Sequence, residues 1–312
     1  MKMSKKSNLN FRQRVALEII WFLCRVISFT PYWFKYYLFA DLIYFLIYRC
    51  LRYRVKIVNK NLHNSFPTKS EKEISVIRKD FYRYLSEVMV STISLAGGAP
   101  QRSIVNEDPQ SAMSKLKRET HGRSWVALTA HYGLWEYFVF WAGFADQSLV
   151  AVYHPLENEL FEELFRRLRD HKNVETVPLK ETIRFCLNHQ EGVNGLNYVI
   201  GLIADQNPPR RPNSEWFKFL NQDSIFFDGG EKIALKLKLP IYFVYQRRIC
   251  RGRYELEYEL IHDGVEQVEP YEITRRYIQK LERVIEQNPQ LWLWSHRRWK
   301  HDPKKWKHRK QS

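Results

Sequence analysis

The 312-residue sequence predicts an α/β fold, a mixed sheet flanked by helices. Three observations carry that reading. Four short apolar runs, at residues 125–130, 148–153, 198–204 and 240–245, have the length of buried strands. Between and before them lie stretches with helical spacing of apolar residues, at 134–144, 157–171, 179–190 and 229–238. Strand and helix in alternation are the mark of crossover connections within one sheet. Finally, residues 254–261 alternate Glu with apolar side chains, the period of an edge or half-buried strand.

Taken in order, the first element is the apolar stretch at residues 15–48. Glu18 and Arg25 break its first half and Asp41 its second, so neither half reaches the roughly 18 uninterrupted apolar residues of a clean membrane span. No small-residue cleavage site follows, which argues against a signal peptide. Basic residues flank it on both sides, with Lys2, Lys5, Lys6, Arg12 and Arg14 before and Arg49, Arg52, Arg54, Lys56 and Lys60 after. Both flanks therefore prefer the cytoplasmic face, and a shallow helical hairpin or a tilted helix on the inner leaflet fits the pattern. Two ordinary core helices are the other reading. From Glu71 to Leu95 the residues Ile74, Ile77, Phe81, Leu85, Val88 and Thr92 follow helical spacing, and Gly97-Gly98 with Pro100 ends the run. The strands and helices of the sheet come next, and residues 271–288 form a last helix. From Ser295 to Ser312 the chain carries eight Lys or Arg against one Asp, a charged tail of the kind that is solvated or held on anionic surfaces.

Composition narrows the partners. At 45% hydrophobic the chain can bury a full core, and its net charge of +16 favours nucleic acid, acidic lipid headgroups or an acidic carrier protein. With 10 Trp, 18 Tyr and 19 Phe, amphipathic aromatics are abundant, which suits a membrane interface. No nucleic-acid-binding motif is present, so lipid is favoured and no nucleic acid is expected. Cys24, Cys50, Cys186 and Cys250 show no short paired spacing, which predicts reduced thiols rather than disulfides or a zinc site. His296, His301 and His308 cluster in the basic tail, and no metal set is expected.

The most informative motif is His131-Tyr132-Gly133-Leu134-Trp135-Glu136, directly after the first strand-like run. On a continuous helix a His and an acid five positions apart point well away from each other. Across a turn at Gly133 they can meet, with Glu136 in the first turn of the following helix, where the helix dipole favours its ionised form. A neutral imidazole oriented in this way can take a proton from a hydroxyl or amine, the general-base chemistry of acyl transfer. The spacing alone is weak, since about one such pair is expected by chance. His154 and Glu159 repeat it, with Pro155 directly after the His, and serve as the comparison.

Four blocks together resemble the secondary acyltransferases of lipid A biosynthesis, the lauroyl/myristoyl branch of the lysophospholipid acyltransferase-like families. They are Thr129-Ala130-His131 through Glu136; Tyr153-His154-Pro155-Leu156 with the Arg-rich helix to Arg169; Ile203-Ala204-Asp205-Gln206; and the aromatic, basic run from Pro289 to Lys300. The resemblance implies a glycerolipid acyltransferase-like fold. It implies transfer of a fatty acyl group from acyl carrier protein or acyl-CoA to a hydroxyl of an anionic lipid acceptor, a lipid A precursor, with no cofactor; another phospholipid, glycolipid or aminolipid acceptor is the alternative, and a non-catalytic basic membrane- or nucleic-acid-binding protein the more remote one. His131 would be the base and Glu136 the acid that orients it, with Arg169 and Asp205 in the site. Arg166 is a rival to Arg169, and Asp205 has the alternative reading of capping a turn before Pro208. Arg297, Arg298 and Lys300 are expected at the mouth of the cleft, on phosphates of the acceptor or on anionic lipid. The implied location is the cytoplasmic face of the bacterial inner membrane. The loop Pro208-Pro209-Arg210-Arg211-Pro212 and the run from Phe219 to Gln222 depart from the family pattern. The expected division is a membrane-associated helical segment at 1–60, a catalytic domain at 61–300 and a basic tail at 301–312.

Overall fold

The computed structural model describes residues 9–98, 109–141, 146–171, 173–208 and 214–301. Its strands are β1 (Trp125–Thr129), β2 (Ser148–Tyr153), β3 (Val174–Pro178), β4 (Tyr198–Ile203), β5 (Trp216–Phe219), β6 (Gln222–Ile225), β7 (Ile241–Cys250) and β8 (Arg253–His262). Six of them form one sheet in the order β3-β2-β4-β1-β7-β8. The pairs from β3 to β7 are parallel and β7–β8 is antiparallel, so the sheet is mixed, as the sequence predicts. β1 is buried along its whole length and β4 along all but its last residue, which is why both read as continuous apolar runs. β8 closes one edge, alternating in burial from Arg253 to Glu257 before the pattern breaks, with Leu260 exposed.

Three strands have weak signals in sequence. β3 carries only Val174 and Val177 as buried side chains and ends at Pro178, which an edge strand tolerates. β5 and β6 pair as a small hairpin whose turn residues, Leu220 and Asn221, both have positive φ (49° and 61°). That geometry normally selects Asn or Gly. Here the Leu220 side chain is buried and its N–H donates to Glu282, so packing overrides turn propensity.

Helices α1 (Phe11–Ser28), α2 (Ala40–Tyr44), α3 (Val55–Ser65) and α4 (Glu71–Ala96) precede the sheet. Helices α5 (Pro109–Glu119), α6 (Phe138–Trp141), α7 (Glu159–Arg169), α8 (Thr182–Asn188), α9 (Gly229–Leu237) and α10 (Glu272–Gln287) lie around it. α4 starts at a capping box in which Ser70 and Glu73 satisfy each other's backbone N–H groups. It stops at Gly97, where α1 crosses so closely that a Cβ would lie 2.1 Å from the Cys24 carbonyl oxygen. α1 and α2 both rest on α4. Around α2 the chain winds in wider π turns at Phe34–Phe39 and Phe45–Cys50. Among the described residues no helix is long and apolar enough to cross a membrane.

The N-terminal element is built into the rest. Tyr36 is buried with Ala40 and Val90, and its hydroxyl bonds to Ser91 at 3.0 Å. The tip of the β7–β8 hairpin grips it from the other side. Arg251 pairs with Asp41 at 2.6 Å and lies 4.8 Å from the Tyr37 ring centroid. Arg251 and Arg248 also reach Glu87 of α4, at 3.0 and 2.8 Å. Burial holds the Glu87 carboxyl above its ordinary value even against those two guanidinium groups. The expected boundary at residue 60 falls inside α3, whose Val58 and Leu62 belong to the main core.

Removing residues 1–48 therefore uncovers Val90, Ser91 and Gly97 and deprives the hairpin tip of Asp41 and Tyr37, leaving it only Glu87 of these partners. Burial of Tyr36 alone is worth about 2 kcal/mol, and each kcal/mol moves Tm by about 2–4 °C in a domain of this size. We expect the truncated chain to lose at least ~5 °C in Tm, measured by calorimetry in detergent. An unchanged Tm would show the element to be detachable.

Candidate functional site

β1 and β4 are parallel neighbours with Thr129 opposite Ile203. Each chain runs two residues past that pair, so His131 and Asp205 leave the carboxyl edge of the sheet side by side, where an open α/β sheet forms its crevice. The Ala204 N–H still donates to the Thr129 carbonyl at 3.0 Å and holds the two exits together. His131 Nδ1 is 2.7 Å from Asp205 Oδ1, and the His131 backbone N–H donates to Asp205 Oδ2 at 3.0 Å. The Trp292 indole N–H donates to the same Oδ2 at 2.8 Å.

Asp205 is 2% exposed. Burial by itself raises a carboxyl, but the charge of the His131 ring and the hydrogen bonds from His131 and Trp292 outweigh it and hold Asp205 below its ordinary value. An ionised Asp205 accepts from Nδ1–H, which leaves the His131 lone pair on Nε2. The Gln206 side-chain N–H donates to that lone pair at 3.0 Å. The Trp135 ring stands edge-on to the imidazole, centroids 5.3 Å apart.

Glu136 is not the acid on His131 Nδ1, and the expected His131–Glu136 pairing is corrected on that point. Gly133 has a φ of +62°, and a Cβ there would meet the Gln246 carbonyl oxygen at 2.2 Å, so the bend requires glycine. The chain then enters a tight 3-10 turn at Trp135–Tyr137. That turn directs Glu136 to Arg169 on α7, 3.7 Å away. Arg166, the rival, is held by both carboxylate oxygens of Glu163 at 2.8 and 2.7 Å. His154 is exposed and its Nδ1 bonds to the Pro155 carbonyl, 3.0 Å away, so the comparison pair has no such geometry.

The C-terminal aromatic run is stitched to the His131 loop. Tyr132 and Trp292 form a β-bridge, Leu293 N–H donates to the His131 carbonyl at 3.1 Å, and Gly133 N–H donates to the Leu291 carbonyl at 3.0 Å. Trp292 and Trp294 are fully buried core rather than surface. Arg298 is corrected in the same way, since it is 1% exposed and does not reach the cleft mouth. Its guanidinium donates to Asn207 Oδ1 at 3.1 Å and to the Ile225 carbonyl at 2.6 Å, and lies 4.4 Å from the Phe226 ring centroid. Burial pulls Arg298 down to about 10 against the opposing charge of Asp205, so it remains charged at neutral pH. Arg297 and Lys300 are exposed. The tail at 302–312 and the loop at 209–213 lie outside the described residues.

Beside this pair is a cavity of about 410 Å³, walled on its apolar side by Ile47, Leu85, Met89 and Leu293. Gln206 belongs both to the cavity and to His131. His296, expected in the tail, lines the same cavity. Trp292, Gln206 and His296 are the residues that sequence reasoning did not assign to the site. Among the described residues no group of three His, Cys, Asp or Glu could hold a metal ion.

Burial, reinforced by the charges of His131, Arg298 and Lys300, pulls His296 down from 6.5 to about 4, against the opposing pull of Asp205. As pH falls through that window the unfolded chain binds a proton that the folded ring refuses, so folding stability drops, and below about pH 4 the loss is complete. We expect the wild-type Tm to fall more steeply between about pH 7 and pH 4.5 than that of His296→Gln. Parallel curves in calorimetry would contradict it.

A family model described as bacterial lipid A biosynthesis acyltransferase matches residues 3–301. No curated protein matches the chain. Among solved structures, the 1-acyl-sn-glycerophosphate (LPA) acyltransferase PlsC from Thermotoga maritima is 13% identical, over 90% of this chain and 99% of that one, at a TM-score of 0.33. The family model spans the sheet, the His131–Asp205 pair and the C-terminal aromatic run. The chain thus belongs to the bacterial lipid A biosynthesis acyltransferases and is an acyltransferase.

Proposed function

We propose that the protein transfers a fatty acyl chain from a thioester donor, acyl carrier protein or acyl-CoA, to a hydroxyl of a lipid A precursor at the cytoplasmic face of the inner membrane. The observation that carries this reading is the His131–Asp205 pair at the strand ends, next to an apolar cavity that shares Gln206 with it. A thioester is already activated, so the chemistry needs a base for the acceptor hydroxyl, donors for the oxyanion and positioning in a dry cleft. His131 Nε2 is the base, and Asp205 holds its tautomer and stabilises the imidazolium that forms. Gln206 gives up its bond to Nε2 when the acceptor hydroxyl arrives. Glu136 with Arg169, and Arg297 with Lys300, are suited to the anionic groups of acceptor or donor.

Membrane association has its own support. Phe11, Val15, Ile19, Phe22, Val26 and Phe29 recur at helical spacing on the outer side of α1, and each is between 42% and 80% exposed. The opposite side of α1 buries Leu17 and Cys24 against the protein. A helix with an apolar stripe on its outer side as well as its inner one has a second apolar surface to cover, and a bilayer interface suits that outer stripe. Trp33, Leu38, Leu42 and Phe45 extend the exposed face.

Activity should follow the pair. His131→Ala is expected to lose ~10²–10⁴ in rate and Asp205→Asn a comparable factor, with Glu136→Gln milder. The assay uses acyl carrier protein and CoA thioesters against a lipid A precursor, a phospholipid and a glycolipid acceptor. A Glu136→Gln variant as inactive as His131→Ala would return the orienting role to Glu136, and transfer only to another acceptor would replace lipid A in the reading.

The outer face of α1 should govern membrane binding. Phe22→Glu with Phe29→Glu is expected to weaken binding to phosphatidylethanolamine/phosphatidylglycerol vesicles at least ~10-fold in flotation, since each ring contributes about 1.5–3 kcal/mol when buried. Tm should not change, because both rings are exposed in the protein. Undiminished flotation would remove this face from the membrane contact.

A further inference from the structure

His296 is one of the polar residues of the cavity wall, with Tyr53, Arg54, Gln206 and Ser295. Gln206 touches His131, and Arg54 donates to the Ser295 carbonyl at 3.1 Å. Neither ring nitrogen of His296 has a hydrogen-bond partner among the described residues, although the ring is half-buried. An imidazole in such a place has N–H capacity to offer whatever enters.

Its position is fixed from several sides. Asn61 Nδ2 donates to the Trp294 carbonyl at 2.8 Å and to the His296 carbonyl at 3.0 Å. The His296 N–H donates back to the Leu293 carbonyl at 3.2 Å, and Leu293 in turn is bonded to the His131 carbonyl. The segment carrying His296 is therefore clamped between α3 and the His131 loop, and the His296 ring lies near enough to Asp205 and His131 to feel their charges. A donor held in advance against developing charge needs no reorganisation at the moment of reaction.

Resting on the acyl-transfer reading above, we propose that His296 is a further catalytic residue, donating a ring N–H to the carbonyl oxygen of the acyl thioester seated in this cavity. The acceptor hydroxyl oxygen attacks the carbonyl carbon while its proton passes to His131 Nε2. The carbonyl π pair moves to oxygen, where the His296 N–H stabilises the tetrahedral oxyanion. When the C=O bond re-forms the C–S bond breaks, and the thiolate takes the proton back from His131. Thioester and alcohol become ester and thiol, with no other reactant. The depressed proton affinity of His296 suits the role, because a neutral ring donates to the oxyanion without first having to be paired with a carboxylate.

The test uses full-length protein with wild type, His131→Ala, His296→Ala and His296→Asn. Expected for His296→Ala is a fall in kcat of ~10²-fold with KM little changed, and for His296→Asn, which keeps an N–H donor, a recovery of roughly tenfold or more. Independently of turnover, a trifluoromethyl ketone analogue of the donor, which forms a tetrahedral adduct, should bind His296→Ala ~10²-fold more weakly than wild type. A thioether analogue, which cannot form an oxyanion, should bind both equally. Equal losses for the two analogues, or Ala and Asn variants falling together with a lowered Tm, would overturn the proposal and leave His296 a packing residue. Wild-type kcat in His296→Ala would overturn it too, while an inactive His131→Ala in the same assay leaves the acyl-transfer reading standing. Absence of transfer by wild type defeats that reading itself.

Discussion

Two stretches of chain, the His131 loop and the run at Trp292, converge on the Asp205 carboxylate at the exit of β4. An ion buried to 2% exposure is sustainable only if its oxygens are met by donors, since an unpaired buried charge costs several kcal/mol. The His131 ring, the His131 backbone N–H and the Trp292 indole supply them. Each donor is thereby ordered by the carboxylate. The His131 loop is drawn to the exit of β4, and the chain after α10 is drawn across both. Tyr277 of α10 adds a further tie by donating to the Thr129 carbonyl at 2.9 Å. Arg298, the other fully buried charge of this region, has the opposite sign. The site and the closure of the C-terminal segment are in this sense one unit, and neither forms without the other.

α4 links that unit to the N-terminal element. Its Phe81 and Val88 join the main core, while Val90 packs with Tyr36 and Ala40 on the other side. Leu85 and Met89 of the same helix wall the cavity, and Ile47 of the N-terminal element completes it. The apolar side of the cavity is thus built jointly by the N-terminal element, α4 and Leu293. The buried Glu87 with its two arginines fixes the β7–β8 hairpin to α4.

Much of the sheet was legible in the sequence because β1, β2, β4 and β7 contain apolar runs and β8 alternates over its first half. β3, β5 and β6 were not, since they have few apolar residues and a turn at Leu220-Asn221 that depends on tertiary burial. In the site, His131 and Asp205 were both singled out, but their partnership was not. Pairing across neighbouring strands depends on which strand lies beside β1, and that β4 rather than β2 lies there is a matter of topology, not of local spacing. Sequence nearness pointed to Glu136 instead, and a single glycine bend turned that carboxylate to Arg169. Trp292, Arg298 and His296 were read as parts of a basic, aromatic surface because composition does not reveal burial. The indole and guanidinium proved to be interior groups that satisfy other buried atoms, and the imidazole a cavity wall.

The hydrogen bond between Gln206 and His131 Nε2 has a consequence for how such a site would idle and start. In the resting arrangement the lone pair of the base is occupied by an amide donor, so the imidazole is satisfied on both nitrogens. A hydroxyl entering the site exchanges one neutral hydrogen bond for another, and such exchanges are worth little in net free energy. The base can therefore be uncovered at small cost once a substrate fills the cavity, whose wall includes the same Gln206 side chain. On the acyl-transfer reading, occupancy of the cavity and exposure of Nε2 would be coupled through that one amide, while the Asp205 contact on the other nitrogen would hold the ring in place during the exchange.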